Sequence, residues 1–130
     1  MIVLDASALA DILAPTPTGR RLGRVLEAEN TAAHAPTLID AEAASALRRL
    51  ERVDDISPTM ARAALADLRD FGLVRHPYRP FLDRAWDLRH NFTVYDALYV
   101  ALAEALDASL LTTDDRLAKA ITTHTSVQLL

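Results

Sequence analysis

The stretch Met1-Ile2-Val3-Leu4-Asp5-Ala6-Ser7-Ala8-Leu9-Ala10 decides the fold. Four apolar residues in a row have the length of a strand buried on both faces, and they stop at a carboxylate. A helix-forming segment, Ser7 to Ala14, follows at once. A strand that feeds directly into a helix opens a βαβ unit, and the strand's last side chain is presented at its carboxyl end. Asp5 holds that position.

The alternation continues outward from this unit. Pro15-Thr16-Pro17-Thr18-Gly19 reads as a surface turn, with Thr18 as the cap of a helix that places Leu22, Val25 and Leu26 on one face and Arg20, Arg21 and Arg24 around it. Thr31 to Ala35 reads as a strand closed by Pro36. Thr37 to about Val53 carries Ile39, Ala43, Ala46, Leu47 and Leu50 at helical spacing. Ser57-Pro58 is a cap followed by a first-turn proline, opening a helix that runs to Phe71 before Gly72. Leu73 to Arg75 is a short strand candidate, Pro80 to Arg89 a helix, and Val94 to Leu106 a longer helix rich in Ala and Leu. Ser109 to Thr112, Asp115 to Ile121 and Val127 to Leu129 complete the pattern as strand, helix and strand. Short strands alternating with helices predict a three-layer α/β sandwich. Its centre is a mostly parallel sheet of four to five short strands with helices on both faces, and residues 1–130 form one domain.

Composition narrows the class. There is no cysteine, which excludes disulfides, thiolate metal sites and cysteine nucleophiles, and the four histidines do not cluster. The opening residues lack the basic start and apolar length of a signal peptide or membrane span, so a soluble cytoplasmic protein with no membrane partner is expected. A net charge of −4 argues against nucleic acid at first sight. If four carboxylates gather around metal, however, the remainder is balanced (−4 + 4 = 0). Lys119 is the lone lysine beside thirteen arginines. Arginine grips phosphate bidentately, but a codon bias explains the count more simply.

Four acids have a common address. Asp5 and Asp114 follow strands whose carboxyl ends share one edge of the sheet, where the pocket of an open parallel sheet lies. Glu42 and Asp96 fall in the first turns of helices that begin near that edge. Carboxylates brought together repel one another unless a cation neutralises them, and magnesium, which takes oxygen ligands and keeps several waters, suits such a set. A site of this kind splits phosphodiesters by orienting and deprotonating a water. Each acid also has a plainer reading. Asp5 and Asp114 suit helix caps, and Thr93-Val94-Tyr95-Asp96 fits a capping box. Asp40, three residues after Thr37, is assigned to capping in the same way. Glu42 has no capping role: a glutamate at the border of a core face needs a partner or a metal.

The segments Met1-Ile-Val-Leu-Asp5-Ala-Ser7, Ala35-Pro36-Thr37 leading to Glu42, Tyr95-Asp96-Ala97-Leu98-Tyr99 and Leu110-Leu-Thr-Thr-Asp114-Asp-Arg-Leu117 together resemble PIN-domain proteins, specifically VapC-type toxins. The resemblance spans essentially the whole chain in order. It implies a metal-dependent endoribonuclease, the toxin of a toxin–antitoxin pair, with Asp5, Glu42, Asp96 and Asp114 as catalytic acids and Mg2+ ligands, Mn2+ substituting. It implies supporting roles for Ser7, beside the first aspartate, and Thr112, beside the last acid. Asp115 either shares the fourth ligand role or only caps its helix. The resemblance further implies a homodimer restrained by a small VapB-type antitoxin lying across the acidic groove. For the RNA substrate, Arg75 and Arg79 with His76 are candidate phosphate contacts, and a solvated face accounts for them equally well. Tyr78, Phe81 and Trp86 offer aromatics for an interface, although Phe81, Leu82, Ala85 and Trp86 at helical spacing read better as core.

Two rivals stand beside this reading. A signalling receiver domain also gathers acids at strand ends around magnesium, but it resembles a pattern with paired acids after the first strand and a lysine near the end. Here Asp5 is alone and Lys119 lies within a helix. A catalytically inactive PIN binding module is the second rival, and the presence of all four acids speaks against it.

Overall fold

The computed structural model describes residues 1–14 and 16–130, so Pro15, within the predicted turn, lies outside the described residues. The chain runs β1 (Ile2–Leu4), α1 (Ala6–Leu13), α2 (Pro17–Glu29), β2 (Ala33–Pro36), α3 (Ile39–Arg52), α4 (Pro58–Asp70) and β3 (Val74–His76). A 3-10 turn (Arg79–Phe81), α5 (Leu82–Asp87), α6 (Val94–Leu106), β4 (Ser109–Leu111) and α7 (Asp115–His124) follow. The sheet has four parallel strands in the order β3-β2-β1-β4. All three residues of β1 are buried, as a central strand with helices on both faces requires. The predicted last strand is reduced to one bridge, Leu110 with Leu129, on the outer side of β4.

This strand order positions the site. From β1 the chain steps to β2 and β3 on one side, then crosses back to place β4 on the other side of β1. The gap above the carboxyl ends of β1 and β4 is therefore a topological switch point, where crossovers diverge and leave a crevice. The Asp5 N–H donates to the Leu111 carbonyl at 3.1 Å, holding the two strand ends together.

Local chemistry departs from expectation at three places. The cap of α2 is Thr16, whose Oγ1 accepts from the Gly19 N–H at 2.9 Å, not Thr18. Pro17 at the first helical position, with its fixed φ and no N–H to satisfy, moves the start forward. Thr37 and Asp40 form no cap: α3 begins after Leu38 without a side-chain bond, and the Thr37 N–H joins the His76 carbonyl instead. Asp40 is drawn to Arg75 on β3, which contacts it with Nε at 2.9 Å and Nη2 at 2.8 Å, a charge-assisted fork stronger than a cap. Finally, Leu82 and Trp86 stay 42% and 60% exposed while Ala85 is buried, so the aromatic segment contributes little to the core. Arg89 covers the Trp86 ring at 4.7 Å.

Gly19 is where α2 meets α1. A Cβ there would lie 1.7 Å from the Asp11 carbonyl oxygen, so the helices touch backbone to backbone. Among the described residues no helix is long and apolar enough to cross a membrane.

Candidate active site

Asp5 ends β1 and caps α1. Its Oδ1 accepts from the Ala8 N–H at 2.9 Å and from Ser7 Oγ at 2.8 Å, while Thr112 Oγ1 donates to Oδ2 at 2.5 Å. The residue is 5% exposed. Burial pushes its carboxyl above the ordinary range despite these three donors, and Asp96 adds repulsion.

Glu42 stands in the first turn of α3, where it receives the Tyr99 hydroxyl at 2.9 Å on Oε1. Burial raises it, Tyr99 pulls it down, Asp96 and Asp5 raise it further, and Arg49 offsets part of the rise. Tyr99 is itself 1% exposed. Burial and the neighbouring Glu42 charge drive its phenol far upward, so it remains a donor. Asp96, in the first turn of α6, is raised by burial and by Asp114 and lowered by Thr93 and Arg116. Asp114 caps α7, accepting from the Arg116 and Leu117 N–H groups on Oδ1, and its own N–H donates to Thr112 Oγ1 at 3.0 Å.

Asp5, Glu42, Asp96 and Asp114 all line one open cavity of about 450 Å³, together with Ser7, Tyr95, Tyr99, Arg49 and Arg116. The capping role and the shared pocket, which read as alternatives in the sequence, hold at once. Thr112 bridges Asp5 and Asp114, and Ser7 Oγ accepts from the Thr113 N–H. Asp115 is exposed and is not among the described lining residues. Among the described residues, no three acids or histidines close directly around a single ion position. The acids surround the cavity from separate elements.

Neither Arg75 nor Arg79 faces this cavity. Arg75 is committed to Asp40 and to the Leu68 and Leu73 carbonyls; Arg79 begins the 3-10 turn. Sequence reasoning missed Tyr99, Arg49 and Arg116. The signal for Tyr99 was present: a phenol within an Ala- and Leu-rich helix must find a partner once buried. Arg49 lies seven residues after Glu42, two turns along the same helix face.

The family model described as PIN domain matches residues 2–121. The chain belongs to the PIN-domain family. Its curated relatives place this PIN domain among VapC proteins: it is 49% identical to ribonuclease VapC1 of Mycobacterium tuberculosis, covering 91% of this chain and 89% of that one. It is 44% identical to ribonuclease VapC3 of the same organism, covering 92% and 86%. Among solved structures, a Pyrobaculum aerophilum protein superposes with a TM-score of 0.69 at 22% identity, covering 98% of this PIN domain and 87% of that chain. Mycobacterium tuberculosis VapC20, a sarcin-ricin loop cleaving toxin, gives 0.66 at 17% identity, covering 92% and 95%. The likeness to these two structures is one of fold.

Proposed function

We propose that this PIN domain is a divalent-metal-dependent endoribonuclease, the toxin of a toxin–antitoxin pair. The observation that carries the reading is the gathering of four carboxylates from four separate elements into one cavity at the switch point, in a chain 49% identical to a ribonuclease.

The donor set fits a hard divalent ion. Three of the acids are pushed up by burial and mutual repulsion, which marks a pocket short of positive charge. Their spread around an open cavity suits magnesium, which retains part of its water shell; manganese has the same ligand preference. Asp5, Glu42, Asp96 and Asp114 would hold it, and when bound it supplies an activated water and charge neutralisation at the leaving oxygen. The chain's other residues prepare these ligands. Ser7 and Thr112 fix the Asp5 carboxylate, Thr112 ties it to Asp114, and Tyr99 aims Glu42 into the cavity. Asp115 is left as a surface residue of α7. Residues 1–130 act as one nuclease unit, working on RNA in the cytoplasm as a homodimer and held in check by a VapB-type antitoxin.

The test is cleavage of total cellular RNA, with sites mapped. Magnesium or manganese should support it, and Asp5→Ala and Glu42→Gln should abolish it while circular dichroism stays native. Cleavage indifferent to a chelator or to both substitutions refutes the reading.

A further inference from the structure

The acids account for the chemistry but leave the substrate without a cation to hold it. The basic side chains among the described lining residues of the acidic cavity are Arg49 and Arg116. They come from separate elements, Arg49 from the body of α3 beyond Glu42 and Arg116 from the first turn of α7 beyond Asp114. Both are exposed, and among the described residues neither guanidinium makes a hydrogen bond or an ion pair with the protein. Three other arginines are engaged, Arg75 with Asp40, Arg84 with Glu104 and Arg89 with Trp86, and what sets Arg49 and Arg116 apart is the acidic cavity they border. Two guanidinium forks without hydrogen bonds of their own, lining an acidic cavity, match the planar, bidentate recognition of phosphate.

Each arginine also marks a junction with a second hollow. Arg49 and Ser7 are shared with a cavity of about 170 Å³ whose walls include Ala10, Ala46, Leu50 and Val53. Arg116, Asp96 and Asp114 are shared with one of about 230 Å³ whose walls include Asn91, Phe92, Thr93 and Leu117. The two outer hollows share no described lining residue with each other, and both adjoin the acidic cavity, with Arg49 at one junction and Arg116, beside Asp96 and Asp114, at the other. At the central rim, Tyr95 is 64% exposed and offers a ring face of the kind on which unpaired bases stack.

We propose that Arg49 and Arg116 hold the RNA phosphates on either side of the scissile one, so that a single strand crosses the pocket from the α3 side to the α7 side. This rests on the nuclease reading and adds the path of the substrate. Each guanidinium takes one flanking phosphate and keeps the strand in register over the acids, while the flanking nucleosides enter the two outer hollows.

The experiment measures binding apart from cleavage. The full chain is titrated into a fluorescein-labelled 2′-O-methyl oligoribonucleotide of mixed sequence, in calcium buffer, over a range of NaCl concentrations. Arg49→Ala and Arg116→Ala should each weaken binding roughly tenfold. Each should also flatten the slope of log affinity against log salt by about 0.7, the share of one single-strand phosphate contact. Arg49→Lys and Arg116→Lys should keep the slope, because the charge remains, and lose part of the affinity with the fork. Slopes unchanged in both alanine variants would overturn the proposal and leave these arginines as countercharge for Glu42 and Asp96. A wild type that binds with the expected slopes yet cuts no cellular RNA would instead fail the nuclease reading.

Discussion

Tyr99→Phe tests whether Glu42 is aimed by its neighbour. The substitution keeps the ring, which is 1% exposed and packed in α6, and removes one oxygen. That oxygen donates to Glu42 Oε1 at 2.9 Å. Hydrogen bonds to ionised groups are worth about 1.5–3 kcal/mol, but Glu42 is only partly buried and water replaces some of the loss, so about 1 kcal/mol is expected. For a chain of this length that is roughly 3–5 °C in melting temperature. The larger effect falls on the site. Loss of a group that orients a metal ligand commonly lowers metal affinity by about 10–100-fold. Cleavage measured against magnesium concentration should therefore show a half-saturating value raised at least about tenfold, with the rate largely restored at high magnesium. Because Tyr99 holds the Glu42 carboxyl down, its loss should also move the acidic limb of the pH–rate profile to higher pH. A rate loss that excess magnesium does not repair, with half-saturation unchanged, would refute the assignment of Tyr99 to positioning Glu42.

Four further expectations follow from the geometry. Asp114→Ser keeps an oxygen at the cap of α7 and removes the carboxylate, so thermal stability should stay within about 0.5 kcal/mol of wild type while cleavage is lost; cleavage retained by this variant would show that the position is only a cap. Without divalent ions, stability should fall as pH rises. Asp5, Glu42 and Asp96 bind protons more tightly folded than unfolded, so the folded state loses ground as pH climbs from their ordinary 3.8–4.5 through their raised values. Denaturant midpoints read this, and a rise with pH across that window would contradict it. Arg75→Ala should cost about 1 kcal/mol by unpinning α3 from β3, the pair being partly exposed, and should leave oligoribonucleotide affinity and its salt slope unchanged. Gly19→Ala should destabilise by at least ~2 kcal/mol in a denaturant melt, because the new methyl meets the Asp11 carbonyl and not a flexible side chain.

What the sequence made legible is what depends on neighbours along the chain. The run ending at Asp5, the Ser57-Pro58 start and the bounds of α6 all follow from local propensity and capping, and all are found where the residues put them. Strand-end placement brought Asp5 and Asp114 to one cavity, and first-turn placement brought Glu42 and Asp96. What stayed hidden depends on partners far away in sequence. Asp40 has a cap-like local context, but Arg75, 35 residues on, supplies a stronger bond. Trp86 has core-like periodicity, but α5 is a short helix at the margin with only Ala85 turned fully inward. Arg49 and Arg116 carry no local mark distinguishing them from other arginines. Their distinction is the cavity they border.

Helix capping and the gathering of the four acids draw on the same physical property here, the negative charge of the carboxylate. Asp5 and Asp114 cap α1 and α7, and Glu42 and Asp96 stand in the first turns of α3 and α6. Each acid thus sits beside unpaired helix N–H groups and the positive end of a helix dipole. Four such ends meet above β1 and β4 because the crossovers diverge at that switch point. The convergence offsets part of the repulsion among the carboxylates, so the acidic pocket forms from the chain's own residues. A carboxylate has a further advantage over other caps, because its second oxygen can serve another partner: Asp5 takes the Thr112 hydroxyl on Oδ2 while Oδ1 caps α1. Asp114 caps with Oδ1, and no protein donor to its Oδ2 is present among the described residues. An arrangement that looked in the sequence like three spare caps and one stray glutamate is therefore a single device: helix N–H groups hold Asp5 and Asp114, Tyr99 holds Glu42, and all four acids line the one cavity.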